Sequence, residues 1–142
     1  MIYKKYENVY AVRIDRGEEV VSSLLKMQES EGISAAIVEG LGAADYVKFG
    51  LYDVGSQKFL PNELAEPLEV TSITGNLTRQ EGKPYLHAHI NVADARGHVS
   101  GGHLIECRIS GTAELFVTPL AGTIGRRKDD MTGTGLNLFD FH

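Results

Sequence analysis

Apolar residues change their period several times along this chain, and each change marks a new element. Val9-Tyr10-Ala11-Val12-Arg13-Ile14 reads as a strand, which Asp15-Arg16-Gly17 stops. Glu18 and Glu19 then place negative charge where a helix N-terminus favours it. Val20, Val21, Leu24, Leu25 and Gln28 follow at helical spacing, with Ser22, Ser23, Lys26 and Glu29 facing outward, and Gly32 is placed to end the helix as its C′ residue. Beyond Gly32 the period shortens. Ile33 to Val38 is an apolar run that predicts a strand buried on both faces, broken by Gly40-Leu41-Gly42. Val47, Phe49 and Leu51 then alternate with polar or aromatic neighbours, and Pro61 and Pro67 bracket a predicted loop, Asn62 to Glu66.

Leu68 to Thr78 is a long β-like segment whose apolar phase slips between Val70 and Ile73, which predicts a bulge. Gln80-Glu81-Gly82-Lys83 is a turn into a strand over Leu86 to Val92, and Ala113, Leu115 and Val117 mark another strand ended by Pro119. The tail from Ala121 is rich in glycine and charge, and its Leu136, Leu138, Phe139 and Phe141 are expected to dock on an apolar surface. The fold class expected is α+β: a mostly antiparallel, twisted central sheet with one main helix and short additional helices.

Size and charge narrow the picture. A chain of 142 residues and 15.5 kDa should leave about 7,200 Å² accessible when folded against about 22,000 Å² unfolded, enough burial for one core and too little for two. A single domain over residues 1–142 is expected. Fourteen Lys and Arg against 19 Asp and Glu, a net charge of −5, argue against direct DNA binding through bulk electrostatics. One cysteine, Cys107, forms no internal disulfide and no CxxC motif; it reads as a buried small apolar residue. The N-terminal Met1-Ile2-Tyr3-Lys4-Lys5-Tyr6 lacks the apolar core of a signal peptide, and no apolar run approaches the ~18 residues of a membrane span. These features predict a soluble protein of the reducing cytoplasm, with no membrane partner.

The chemistry lies in Leu86-His87-Ala88-His89-Ile90-Asn91-Val92. Strand alternation puts His87, His89 and Asn91 on one face and the apolar residues on the other, with the two histidine Cα atoms ~6.7 Å apart. That spacing lets both rings converge on one ion at the ~2.0–2.1 Å Zn–N distance. His103 follows a segment long enough to return it beside this strand, and Gly101-Gly102 permit close backbone approach or positive φ. Three neutral imidazoles with a free position match an open zinc site, although imidazole also suits Ni, Cu and Fe. The alternative is a pair of solvated rings on an exposed strand. His98 reads as a surface turn residue and His142 as a frayed terminus. Glu106 is a candidate proton acceptor if a helix follows His103, and falls on the opposite face if a strand continues. Gly40-Leu41-Gly42-Ala43-Ala44-Asp45 fails as a dinucleotide fingerprint, since Asp replaces the third glycine and a strand follows. Arg126-Arg127-Lys128, followed by Asp129-Asp130, predicts a solvated, salt-bridged turn rather than a phosphate clamp.

Taken together, Arg16-Gly17-Glu18-Glu19, Gly40-Leu41-Gly42, His87-Ala88-His89, Gly101-Gly102-His103-Leu104, Thr112-Ala113-Glu114, Arg127, Asp130, Thr132-Gly133 and Leu136-x-Leu138 resemble, in order and spacing, the plants-and-prokaryotes-conserved (PPC) domain. The resemblance covers nearly the whole chain. It implies a compact domain around an antiparallel-type sheet, assembly as a homotrimer, and, for stand-alone prokaryotic members, a metal at the histidines, here His87, His89 and His103. In plants the domain accompanies AT-hook segments with an Arg-Gly-Arg-Pro core; Gly125-Arg126-Arg127 departs from that order and lacks the proline. Three functions are therefore carried forward. The first is a trimeric metal-binding protein of unassigned activity, its divalent metal most simply zinc and its site open to a small-molecule ligand. The second is a DNA-binding or regulatory protein without an AT-hook. The third is a metal-dependent hydrolase or lyase, with Glu106, Asp94 or a neighbouring subunit's residue as acid or base.

Overall fold

In the computed structural model, which describes residues 1–142, nine strands form a single sheet and one helix packs on it. The elements run β1 (Ile2–Tyr6), β2 (Val9–Asp15), α1 (Val20–Ser30), β3 (Ala36–Asp53), β4 (Lys58–Leu64), β5 (Leu68–Gln80), β6 (Lys83–Ala93), β7 (Val99–Pro119), β8 (Gly125–Lys128) and β9 (Asn137–Asp140). All pairings are antiparallel except the single parallel contact of β8 with β5 at Arg79–Gly125. β3 pairs with both β5 and β7, β5 pairs with β6, and β6 pairs with β7. The four strands therefore close into a ring, and their inward side chains form the core. Ile73, Leu77, Ile90, Val38, Val47, Cys107 and Ile109 are all essentially inaccessible.

The helix begins and ends where its sequence requires. Glu19 is the N-cap, accepting hydrogen bonds from the Val21 and Ser22 amides at 2.8 and 2.7 Å, so a carboxylate satisfies donors the helix cannot. It also accepts the Cys107 amide at 3.1 Å, which ties the helix start to β7. Gly32, with φ +63°, follows the last turn. Val20, Leu24, Met27 and Gln28 are fully buried; the Gln28 amide donates to the Thr78 carbonyl at 2.7 Å, joining α1 to β5.

Several elements differ from the sequence expectation. No short helix accompanies α1. Gly40-Leu41-Gly42 does not break a strand; it lies inside the 18-residue β3, where register shifts occur against both neighbours. The glycines are there because β7 crosses too closely for a side chain: a Cβ on Gly42 would sit 2.5 Å from the Thr112 carbonyl oxygen. Of the run Ile33–Val38 only Ala36 to Val38 are strand; Ile33 and Ala35 are buried ahead of it, and within β3 Ala36 and Val38 are buried while Ile37 is 44% exposed, because nothing in the chain covers that face. Pro61, Asn62, Glu63 and Leu64 belong to β4, which leaves only Ala65 and Glu66 of the predicted loop outside a strand. β4 pairs with β3 alone, and an edge strand tolerates a residue without an N–H. The expected bulge in β5 is present between Val70 and Ser72.

The close crossing at Gly42 makes a direct test. Gly42→Ala is expected to cost about 2–3 kcal/mol, since the clash is with backbone that cannot swing aside. Urea unfolding of the two proteins measures it.

Candidate metal centre

Register places the histidines. β6 and β7 pair over five positions, from His89–His103 to Ala93–Val99. Residues directly opposite in an antiparallel pair project to one side of the sheet with Cβ atoms about 4.5–5.5 Å apart. His103 therefore stands beside His89, and His87, two residues along β6, shares their face. Ala88 and Ile90 take the other face and are buried in the core. The crossing is tight: a Cβ on Gly101 would meet the Ile90 carbonyl oxygen at 2.2 Å, and one on Gly102 the Gly50 carbonyl oxygen at 2.5 Å. Neither glycine has positive φ, so of the two reasons for glycine here, close approach is the operative one.

The three rings make a cage. Their centroids lie 5.4 Å (His87–His89), 5.2 Å (His87–His103) and 5.8 Å (His89–His103) apart. One nitrogen from each ring lies within 4.8 Å of the other two. A tetrahedral ion with bonds of ~2.05 Å needs ligand nitrogens about 3.3 Å apart, so at most about 1.5 Å of closure is required, within reach of ring rotation. The donor chemistry also fits. Burial, with the neighbouring His103, Arg126 and His89 charges adding to it, lowers the His87 pKa to about 4. Burial and His89 lower that of His103. Both rings are therefore neutral at pH 7, the form that ligates a cation. Phe59 of β4 stands edge-on to His103 with centroids 6.0 Å apart, an apolar wall on one side of the cage.

The other candidates lie elsewhere. β7 continues as a strand past His103, with Glu106 opposite Lys48 and exposed, outside the cluster of ligating atoms. Asp94 closes the β6–β7 turn by accepting the Arg96 and His98 amides at 2.8 and 2.9 Å. His98 is an exposed partner of that turn. Cys107 is buried, and that burial pushes its thiol up to about 12, which makes it inert. His142 is exposed at the terminus.

The tail corrects two expectations. Phe139 and Phe141 remain 41% and 74% exposed, because β9 pairs with β8 beside a polar cluster rather than over core. Arg126 is no part of a salt-bridged turn. Its Nε donates to Thr78 Oγ1 at 3.0 Å, Nη1 to the Asn137 carbonyl at 2.8 Å and Nη2 to Asn76 Oδ1 at 2.6 Å. The guanidinium lies over the rings of Phe139 and Tyr85 at 4.4 and 4.9 Å. Asp129, its expected counter-charge, is buried and held by the Met131, Thr132 and Thr134 amides and the two threonine hydroxyls, which keep its carboxyl well below the usual range. The basic cluster was visible in the sequence; the inward turn of its first member was not.

The model of the Plants and Prokaryotes Conserved (PCC) domain matches residues 1–121. The chain belongs to that family. Solved structures agree with the assignment. A protein from Bacteroides thetaiotaomicron, provisionally described as DNA-binding, superposes on this PCC domain with TM-score 0.94 at 28% identity, covering 99% of this chain and 96% of that one. A metal-containing protein from Archaeoglobus fulgidus matches at TM-score 0.87 and 32% identity over 98% of both chains. A plant- and prokaryote-conserved protein from Pyrococcus horikoshii gives 0.87 and 29%, over 98% and 94%. Among curated proteins, a bifunctional GlmU protein of Synechococcus is 29% identical over 128 residues, 88% of this chain; the chain spans about a fifth (19%) of that relative's length.

The depressed His87 pKa has a signed consequence for the metal-free protein. The unfolded ring binds its proton near pH 6.5 and the folded ring only near 4. Stability is therefore full above about 6.5 and declines as the pH falls towards 4. Urea midpoints from pH 7 to 5, where exposed carboxylates stay ionised, should fall in the wild type and fall less in His87→Asn.

Proposed function

We propose that this PCC domain is a metal-binding protein that works as a homotrimer, holding a divalent cation, zinc foremost, on His87, His89 and His103. The observation that carries the reading is the convergence of three ring nitrogens within 4.8 Å, with no carboxylate among them and with two of the rings held neutral. The likeness to the metal-containing Archaeoglobus protein supports it. A cation held there supplies Lewis acidity, and the histidines' own part is to hold and orient it.

Assembly has separate support. The accessible surface is 8215 Å², against about 7,200 Å² for a compact monomer of this mass. Part of the excess is apolar. Ile37, Leu41 and Phe116 are 44%, 55% and 60% exposed, and the β3–β7 register, with Glu39 opposite Phe116, puts them on one face. Such a face is suited to burial against further copies. No helix is long and apolar enough to cross a membrane, and a lone buried Cys107 suits the cytoplasm.

The other two readings have weaker support. Hydrolase or lyase chemistry needs an acid or base beside the cage, yet Glu106 lies outside the cluster and Asp94 is engaged in its turn. A DNA-binding role is suggested by the description of the Bacteroides neighbour, but the net charge of −5 opposes it, and Arg126 of the only basic cluster faces Asn76 and Thr78.

Elemental analysis of purified protein should find about one divalent metal per chain, and His87→Ala/His89→Ala should hold almost none. Equal, negligible metal in both would remove the reading. Light scattering should give about three times the chain mass of 15.5 kDa, and Phe116→Glu should shift the population towards monomer. A monomeric wild type would refute the trimer.

A further inference from the structure

Arg126 is a cation without an anion. No aspartate or glutamate forms a salt bridge with it, and its three hydrogen-bond acceptors are all neutral. It is half-buried, and burial lowers its pKa with only Tyr85 acting the other way. A guanidinium does not deprotonate to escape that cost. A half-buried charge without a counter-charge loses part of its hydration with no ion pair to offset the loss.

The position of the charge suggests its use. Asn76, which holds Nη2, stands directly opposite His87 in the β5–β6 register. Tyr85, whose ring lies beneath the guanidinium, precedes His87 by two residues on the same face of β6. The guanidinium thus borders the histidine cage along its β5 side, and it is close enough to add to the depression of the His87 pKa. Two of the five guanidinium N–H groups remain uncommitted after the bonds to Thr78, Asn137 and Asn76. Arg126 is the one arginine or lysine whose charge acts on His87, and no arginine or lysine charge acts on His103.

We propose that Arg126 is the anion-recognising group of the histidine site, and that the small molecule this site takes carries a carboxylate. Two free N–H groups and one positive charge match the two oxygens and single charge of a carboxylate. One fork can also pair with phosphate, but phosphate's greater charge and additional acceptor oxygens would stay unmatched by a single guanidinium with two free N–H groups. Asn76, Thr78 and Asn137 hold the fork, and the Tyr85 and Phe139 rings lie against it. The ligand's carboxylate is therefore taken at the β5 side of the cage while the rest of the molecule faces His87, His89 and His103. The assignment rests on the metal reading for that second half of the site, but the anion half can be tested alone.

The test uses acetate, neutral acetamide and inorganic phosphate as probes, followed by NMR shifts of the His87 and Tyr85 side chains in zinc-loaded and metal-free full-length protein. Acetate should shift both residues saturably. Arg126→Gln should raise its Kd at least tenfold while zinc uptake stays within twofold. Acetamide should cause no saturable shift, and phosphate should bind more weakly than acetate. If the protein takes up no zinc, the metal reading fails by itself and the comparison is read on the metal-free protein, where acetate binding by the wild type and not by Arg126→Gln still supports the assignment. Should Arg126→Gln unfold, Arg126→Lys carries the comparison, with at least a threefold loss expected from removal of the fork. Unchanged acetate affinity in the folded variant, no acetate binding by the wild type, or tighter binding of phosphate than of acetate would overturn it.

Discussion

The pairing of β6 with β7 is the contact on which both the fold and its chemistry turn. It closes the ring of β3, β5, β6 and β7, and it sets His103 opposite His89. Because side chains alternate with period two, a slip of one residue would turn His103 to the core and leave a two-histidine ledge. The register is held by more than hydrogen bonds. Ala88, Ile90 and Val92 must stay inside, with accessibilities of 3%, 1% and 1%. Gly101 and Gly102 pass carbonyls too closely to admit any other residue. Core packing and the meeting of the three histidines thus require the same alignment.

The ring has one interior and one exterior, and the two are covered differently. Inside, α1 completes the core with Val20, Leu24 and Met27, while Gln28 bonds the β5 backbone. Outside, no second layer exists. The exterior is divided among exposed apolar residues such as Leu41 and Phe116, the three histidines, and the β8–β9 arm. That arm does not act as a hydrophobic plug. It brings Arg126 to β5 and secures itself through Asp129, whose carboxylate collects the amides of the following turn. A charged group is thus carried to the edge of the histidine cage, beside the strand that faces His87.

Much of this was legible in the chain itself. The helix over Val20–Ser30, the bulge in β5 and the alternation in β6 follow from local rules: a carboxylate at a helix start, a slipped apolar phase, a period of two. The His87/His89 pair could be placed on one face for the same reason. Local pattern misled where a residue answers to something distant in sequence. Gly40 and Gly42 resemble a break, but they accommodate β7, some seventy residues away. Ile33–Val38 has the composition of a doubly buried strand, yet the strand starts only at Ala36 and its Ile37 face has no cover within the chain. Arg126 and Asp129 look like neighbours that would pair, and each finds its partners elsewhere.

Sequence by itself therefore determined the element types, the apolar faces and two of the three ring positions, because alternation and capping act over a few residues. Tertiary structure alone decided that His103 meets the other two, that Glu106 and Asp94 do not, and that an unpaired guanidinium stands at the same edge. Those outcomes depend on strand register across the closed ring, where the next neighbour in space is set by pairing rather than by chain order.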